Sequence, residues 1–208
     1  METLTKKILL IAFVVFTTSF SVYSQNYKII QTAFDSSYAR EKRAEYSKAI
    51  EAIKAVYDEK SYEINLRLGW LSYMSGFFTE SSAYYNKAIE LKPYSIEAKM
   101  GAVYPLSGLG NWNKIVNYYN EILKIDPQNT TVNYRLGSIY YGKKDYSTAS
   151  KYLEKVINLY PFDYDTVILY AWTNFKLGSL REAKVLFNKA LMIRPNDSSA
   201  LEGLSYIK

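Results

Sequence analysis

Residues 130–163 read TTVNYRLGSIYYGKKDYSTASKYLEKVINLYPFD, and residues 164–197 read YDTVILYAWTNFKLGSLREAKVLFNKALMIRPND. Each stretch is 34 residues long, and close to its end a proline is followed two positions later by an aspartate. The same 34-residue interval separates four of the chain's five prolines, which are Pro93, Pro127, Pro161 and Pro195. A fixed period of this length is typical of an array of helix–turn–helix repeats.

Residues that start and end helices keep the same phase. Two positions after each proline lies a residue that can cap the next helix, namely Ser95, Asn129, Asp163 or Asp197. Seventeen positions before each proline lies a turn position, occupied by Gly76, Gly110, Lys144 or Gly178. Two positions after that turn comes a large apolar residue, namely Phe78, Trp112, Tyr146 or Leu180. Each repeat is therefore predicted to be a helix A, a turn, a helix B and a turn marked by proline, without strands.

These residues resemble the tetratricopeptide repeat, in which small residues allow helices A and B to cross closely. The stretch 62–95 offers Gly69, Ser81 and Ala88 at the matching positions. The resemblance covers about residues 28–208 and implies an all-α, right-handed superhelical solenoid of antiparallel helix pairs. The five expected repeats lie at about 30–61, 62–95, 96–129, 130–163 and 164–197. A capping helix is expected at 198–208, with Leu201 and Leu204 pointing inward.

Two of the repeats depart from the pattern. The repeat at about 30–61 lacks its proline and is about two residues short, which suits a degenerate capping repeat. The repeat at 96–129 carries Pro105 inside helix A. In the interpretation that we favour, Gly101 and Ala102 take over the close helix contact in a shifted register. In the alternative, Pro105 makes a kink that opens the middle of the array.

The first 24 residues have the pattern of a secretory signal peptide. Lys6 and Lys7 precede an apolar run at residues 8–16, and short side chains precede the expected cleavage site after Ser24. A retained membrane anchor is the alternative, although the run is well short of the roughly 20 residues that span a bilayer. We therefore expect an exported protein, periplasmic or secreted, from a bacterial cell envelope. Its mature chain would cover residues 25–208, as one solenoid without a transmembrane segment.

The composition argues against most catalytic and metal-dependent functions. The 208 residues include no cysteine and no histidine, which excludes disulfide frameworks, zinc sites of the Cys/His type and triads built on those residues. No glycine-rich phosphate loop occurs, and the acidic residues are scattered at helix-surface spacing. Basic residues form no run longer than Lys42-Arg43 or Lys143-Lys144, so nucleic acid is not an expected partner. We expect no enzyme activity, no cofactor and no metal site.

The chain is rich in aromatic residues, with 22 tyrosines, nine phenylalanines and three tryptophans. The resemblance implies that helix A lines a concave groove, whose partner-binding residues would be Phe34, Tyr38, Arg67, Trp70, Tyr73, Tyr104, Tyr134, Arg135, Tyr141, Trp172 and Phe175. Arg67 and Arg135 are expected to pair with acidic groups of a ligand and to fix its register. Aromatic residues of helix B are expected in the core instead, namely Tyr84, Tyr85, Tyr118, Tyr119, Tyr152 and Phe187.

The function expected from these features is a non-catalytic scaffold for protein–protein interaction. A peptide segment or a helix of a partner protein would lie along the aromatic groove, because interfaces are enriched in aromatic residues. Carbohydrate or envelope-polymer binding by the same aromatic groove is the first alternative. The second alternative is an accessory subunit of an envelope complex, which would use the ends or the convex face of the array.

Overall fold

The computed structural model describes residues 27–207, which form helices joined by short turns. The expected signal peptide, residues 1–24, lies outside this range. The first of two compact units ends at Asn111 and contains α1 (residues 27–41), α2 (Tyr46–Lys54), α3 (Tyr62–Met74), α4 (Phe78–Leu91) and α5 (Ile96–Gly108). The second unit begins at Trp112 and contains α6 (Trp112–Ile125), α7 (Thr130–Gly142), α8 (Tyr146–Leu159), α9 (Tyr164–Lys176), α10 (Leu180–Ile193) and α11 (Ser198–Ser205).

The starts of the helices follow the 34-residue period. Helix A begins at Tyr62, Ile96, Thr130, Tyr164 and Ser198, and helix B begins at Phe78, Trp112, Tyr146 and Leu180. The first pair is shorter, because α2 begins at Tyr46, only 32 residues before Phe78. Consecutive helices pack against each other from α2 to α5 and again from α6 to α11, and the short turns make neighbours antiparallel. The predicted all-α fold of five helix pairs and a terminal helix is confirmed for the described residues.

The predicted caps start four of the A helices. The side chains of Ser95, Asn129, Asp163 and Asp197 each accept a hydrogen bond from the backbone N–H three residues further on. The donor–acceptor distances lie between 2.8 and 3.1 Å. Each bond satisfies a backbone donor that the helix itself leaves unpaired, so these polar residues fix where helix A begins.

The turns between helices A and B contain one residue in the left-handed conformation. The φ angles are 79° at Gly76, 67° at Gly110 and 80° at Gly178, where glycine meets no steric penalty. Lys144 and Ala44 occupy the matching turns with φ angles of 62° and 56°. A residue with a Cβ atom destabilises such a turn by about 1–2 kcal/mol.

Glycines of the A helices make room for large side chains of the B helices. The Tyr85 ring of α4 lies between Gly69 of α3 and Gly101 of α5, where added Cβ atoms would come within 2.9 and 2.2 Å of the ring. In the second unit, a Cβ at Gly203 would come within 2.2 Å of Phe187. The small residues are therefore required by the close approach of neighbouring helices, as the resemblance implies.

Helix α5 continues through Pro105, from Ile96 to Gly108. Gly101 and Ala102 are both buried, and Gly101 contacts Tyr85 of the preceding helix. This packing agrees with the interpretation in which Gly101 and Ala102 provide the close helix contact.

The inward face of α11 differs from the prediction. Leu201 is 48 % exposed, so its assignment to the inward face was wrong, whereas Leu204 packs against the core of the second unit. Asp197 caps α11 and sets its phase, which turns Ala200 and Gly203 toward the core. Gly203 leaves space for the Phe187 ring, and this contact decides which side of the short helix faces inward.

The aromatic residues of helix B divide into two groups. Tyr85, Tyr118, Tyr119 and Phe187 are buried, as predicted. Tyr84 and Tyr152 are only half-buried. The Tyr152 ring stacks on Tyr140 of α7 with a centroid distance of 5.7 Å, so it packs on a neighbouring helix at the edge of the core.

Tyrosines at the start of two A helices bind the cap of the next repeat. The Tyr164 hydroxyl donates to Asp197 Oδ2 at 2.5 Å, and the Arg194 guanidinium lies 3.5 Å above the Tyr164 ring. Tyr62 repeats the arrangement in the first unit, with its hydroxyl 2.8 Å from Ser95 Oγ. These contacts connect successive repeats inside each unit.

The Lys144→Gly variant is expected to be more stable than the wild-type protein. Glycine removes the penalty of the left-handed turn, and part of the gain is offset by the greater entropy of the unfolded chain, so we expect a net gain of about 0.5–1 kcal/mol. Urea unfolding followed by circular dichroism measures the difference. Gly178→Ala is the matched control and should lose about 1 kcal/mol; a stabilised Gly178→Ala or a destabilised Lys144→Gly would contradict the account of these turns.

The Tyr164→Phe variant tests the contact between repeats. The hydrogen bond from Tyr164 is the main cause that lowers the pKa of Asp197, so the variant should raise this pKa toward its usual value. Because the folded-state pKa is lowered, the stabilisation is present at neutral pH and disappears as the pH falls through that pKa. We expect a loss of roughly 0.5–1 kcal/mol at neutral pH, measured by urea unfolding. Tyr94→Phe, at a residue that is 82 % exposed, should change neither quantity.

Candidate functional site

Three aromatic rings of the first unit form a cluster on the A helices. Trp70 and Tyr73 lie one helical turn apart on α3, with ring centroids 5.8 Å apart. Tyr104 of α5 lies 6.1 Å from Trp70 and 5.3 Å from Tyr73. The Tyr104 side chain nevertheless stays 47 % exposed, so the cluster offers aromatic surface to solvent.

Arg67 of α3 holds this part of the surface against α1. Its guanidinium donates to Ser37 Oγ at 3.0 and 3.1 Å, and its Nη1 atom lies 2.6 Å from Glu41 Oε2. It also lies 3.9 Å from the centroid of the Tyr38 ring, a cation–π contact. The Arg67 side chain is only 6 % exposed. Its charge is thus met within the protein, which does not fit the predicted pairing of Arg67 with an acidic group of a ligand.

Glu41 joins the arginine to the aromatic cluster. Its second carboxylate oxygen, Oε1, accepts a hydrogen bond from the Trp70 indole Nε1–H at 2.5 Å. One carboxylate therefore orients both Arg67 and Trp70, and the indole ring is held in place before any partner arrives. Such preorganisation reduces the entropy that binding costs.

A cavity of about 680 Å³ opens beside these residues in the first unit. Its lining combines aromatic, aliphatic and acidic side chains, namely Phe34, Tyr38, Tyr62, Glu63, Leu66, Arg67, Trp70, Tyr85, Glu97, Met100 and Tyr104. Gly101 also lines the cavity, where a Cβ atom would overlap the Tyr85 ring. The glycine that allows the helices to pack therefore also shapes the cavity.

The acidic residues lie near the start of α3 and α5. Glu97 Oε2 accepts a hydrogen bond from the Tyr62 hydroxyl at 3.0 Å, and Glu63 pairs with Lys92 at 3.1 Å. Burial is the main cause that raises the pKa of Tyr62. A backbone N–H bond, followed by Lys92, lowers the pKa of Glu63, so this carboxylate is charged at neutral pH. The cavity therefore presents carboxylate oxygens next to aromatic faces.

The predicted residues of the second unit form separate groups. Tyr134 and Arg135 line a smaller cavity of about 330 Å³, together with Thr130, Thr131, Val156, Tyr160, Asp163, Asp165 and Thr166. Burial raises the pKa of Tyr134, whereas Arg135 is exposed. Tyr141 makes an edge contact with Tyr146, with ring centroids 5.4 Å apart.

Trp172 and Phe175 form a third group with Tyr206 near the end of the chain. The Trp172 ring lies 5.6 Å from Phe175 and 6.4 Å from Tyr206. It also lies 5.0 Å from the buried Phe187, and its Nε1–H donates to Ser199 Oγ at 2.8 Å. Trp172 is therefore partly a structural residue that fixes α11 to its neighbours.

The structure thus assembles part of the predicted site and adds residues to it. Phe34, Tyr38, Arg67, Trp70 and Tyr104 line one cavity of the first unit, and Tyr73 packs on two of these rings. Residues that the sequence analysis did not select also line it, namely Tyr62, Glu63, Leu66, Tyr85, Glu97 and Met100. The 34-residue spacing between the pairs 62–63 and 96–97 is the signal that could have identified the acidic rim.

Membrane-spanning and metal-binding features were also examined over residues 27–207. In this part of the chain, the helices are too short or too polar to cross a bilayer. No group of three or more acidic side chains converges there as a metal site would require.

The comparisons with known proteins agree with this architecture. Residues 130–163 and 164–197 match the family model for the tetratricopeptide repeat, and no curated protein matches the chain. A tetratricopeptide repeat protein from Parabacteroides merdae ATCC 43184 is similar in structure, with 20 % identity and a TM-score of 0.73 over 86 % of this chain and 72 % of that chain.

Two further solved structures show the same fold. MamA from Desulfovibrio magneticus RS-1 has 17 % identity and a TM-score of 0.68, covering 82 % of this chain and 98 % of its own. YrrB, a tetratricopeptide repeat protein with an unusual peptide-binding site, has 13 % identity and a TM-score of 0.69, covering 89 % and 97 %. These similarities establish the fold, and the two matched stretches establish the repeat type.

The Glu41→Gln variant tests the network that orients the cluster. Losing the carboxylate leaves the buried charge of Arg67 without its counterion, which costs about 3–5 kcal/mol for fully buried pairs. Because Glu41 is 23 % exposed, we expect a smaller loss, roughly 2 kcal/mol, measured by urea unfolding. Glu45→Gln is the control, since Glu45 pairs with the exposed Arg43 and should cost under about 1 kcal/mol. Equal losses in the two variants would show that the buried network has no special role.

Proposed function

Because its repeats and its fold are those of the tetratricopeptide-repeat proteins, we propose that the chain is a non-catalytic scaffold that binds a partner protein in the cell envelope. Proteins of this class generally bind proteins or peptides and are generally non-catalytic. YrrB supplies one example, since its structure carries a peptide-binding site. The envelope location rests on the sequence pattern of residues 1–24.

One observation supports the site most strongly. Tyr38 and Tyr104 line the cavity of the first unit and are 49 % and 47 % exposed, whereas the tyrosine at its base, Tyr85, is 3 % exposed. Aromatic side chains that are held in place and still exposed are typical of protein interfaces. They offer a large rigid contact area with little loss of conformational entropy.

The bound segment would place an apolar side chain in the cavity. Leu66 and Met100 provide an apolar surface there, and Trp70, fixed by Glu41, provides a flat face beside it. Glu63 and Glu97 would accept hydrogen bonds from backbone or side-chain donors of the segment. Arg67 would act indirectly by holding α1 and α3 together, which leaves the exposed Arg135 as the predicted arginine that can still contact an acidic group.

The Tyr104→Ala variant is the direct test of this proposal. Peptides are selected from a display library on the immobilised full-length chain, and the affinity of a selected peptide is measured by fluorescence polarisation. Truncating a central aromatic residue of an interface costs about 2 kcal/mol or more, so we expect binding to weaken at least about tenfold. Circular dichroism should show unchanged helix content, because the printed ring contacts of Tyr104 are made at the surface of the cluster.

The matched control for this test is Tyr94→Ala. Tyr94 follows Pro93 in the turn before α5 and is 82 % exposed, outside the cavity lining. Its affinity should equal that of the wild-type protein. Unchanged binding by Tyr104→Ala, or the same loss in both variants, would show that the peptide binds elsewhere.

Carbohydrate binding is the second candidate function for the same cavity. The observation that favours it is the position of Glu63 and Glu97 beside Trp70 and Tyr104, since sugars stack on aromatic faces and donate hydroxyl groups to carboxylates. A glycan array separates the two functions. Saturable glycan binding that Tyr104→Ala abolishes would favour the carbohydrate, whereas a blank array alongside peptide binding removes it.

A further inference from the structure

Two turns of the second unit lie at the same end. Helix α8 leaves the turn at residues 143–145, and α9 packs against α8 in the opposite direction and ends at the turn at residues 177–179. Helices α8 and α9 contain 14 and 13 residues, so both are about 20 Å long and their ends coincide. Helix α6 packs on α7, which places the α6 start at Trp112 at this end too.

This end carries cations without ion-pair partners. Lys143, Lys144, Lys176 and Arg181 are exposed, and within residues 27–207 none of them forms an ion pair. Asp145 and Glu182 are the carboxylates beside them, and Asp145 is engaged as the cap of α8. We refer to residues 143–146, residues 176–181 and Trp112 as the cationic end.

The opposite end of the second unit has the reverse charge. The turns there carry acidic residues, namely Asp126, Asp163, Asp165 and Asp197. Arg194 is the cation in the last of these turns, and it lies 3.9 Å from Asp165. The unit is therefore polarised along its helices, with the cations gathered at one end.

Exposed apolar side chains alternate with these cations. Leu177 and Leu180 are 43 % and 44 % exposed, in the same turn as Lys176 and Arg181. Trp112, at the start of α6, is 51 % exposed. A mixture of cations, leucines and tryptophan is typical of surfaces that bind at a membrane interface.

Lys144 provides an independent observation that the charge matters. Its φ angle of 62° is left-handed, and glycine occupies the matching position in three other turns of this chain. A lysine there makes the folded state less stable than a glycine would. Strain of this kind is commonly retained where a side chain serves a function, and here the side chain adds a cation to the cationic end.

We propose that the cationic end of the second unit docks on an anionic lipid bilayer. The lysines and the arginine pair with lipid headgroups, while Leu177, Leu180 and Trp112 enter the interfacial layer. A soluble polyanion would satisfy the charges but leave the apolar residues exposed to water, so the bilayer matches more of this surface. This surface is separate from the cavity of the first unit, so the inference stands whether or not that cavity binds a peptide.

The absence of cysteine makes a site-specific test possible in the full-length chain. Leu180→Cys and Met192→Cys each receive one polarity-sensitive fluorophore, at opposite ends of α10 and about 18 Å apart. Both variants are mixed with vesicles of phosphatidylcholine containing phosphatidylglycerol, and with vesicles of phosphatidylcholine alone. We expect a blue shift only from the label at position 180 and only with the anionic vesicles.

Reading the label position, and not total binding, keeps the test independent of any other vesicle contact of the chain. Adding Lys144→Gln should raise the lipid concentration for half-maximal shift about fivefold, because each surface cation contributes about tenfold or slightly less to binding. Lys151→Gln, which removes an equally exposed lysine from the body of α8, should leave it unchanged. Lys144→Gly should weaken the shift like Lys144→Gln while stabilising the fold.

Four results would overturn the proposal. The first is no shift at position 180 with anionic vesicles, and the second is an equal shift at position 192. The third is the same effect from Lys151→Gln as from Lys144→Gln. The fourth is an equal shift at position 180 with soluble polyphosphate, which would identify a polyanion site instead.

Discussion

The close approach of neighbouring helices at glycine is the constraint on which the rest of this structure depends. Tyr85 fits between α3 and α5 only because Gly69 and Gly101 have no Cβ atom in its way. The contact sets the spacing of these helices, and that spacing determines how near Tyr104 comes to Trp70 and Tyr73. Packing inside the first unit and the shape of its cavity are thus two consequences of one contact.

The polar network around Glu41 adds orientation to this spacing. Packing alone would bring α1 and α3 together, but it would leave the indole of Trp70 free to turn about its side-chain torsions. The carboxylate of Glu41 holds the Trp70 Nε1–H on one oxygen and the buried Arg67 on the other. The aromatic surface is therefore rigid, which favours recognition of a partner with a complementary side chain.

The sequence predicts the fold far better than it predicts the site. Proline, cap and turn residues act locally, so their 34-residue phase was enough to place nearly every helix start, and Lys144 was correctly assigned to a left-handed turn. The site depends on contacts between helices. Arg67 was predicted to face a ligand, because its spacing does not reveal that Ser37 and Glu41 lie against it. Leu201 was misplaced for a similar reason, since a glycine against Phe187 chose the inward face of α11.

The central claim is that a partner binds on the aromatic surface of the first unit. The three tryptophans make this directly measurable, because each gives one indole N–H resonance in a nitrogen–proton correlation spectrum of the full-length chain. Trp70 lines the cavity, Trp112 starts the second unit, and Trp172 packs beside α11. On titration with a selected peptide, the account predicts a shift of the Trp70 resonance with Trp112 unchanged. A saturated complex in which the Trp70 resonance has not moved would contradict it.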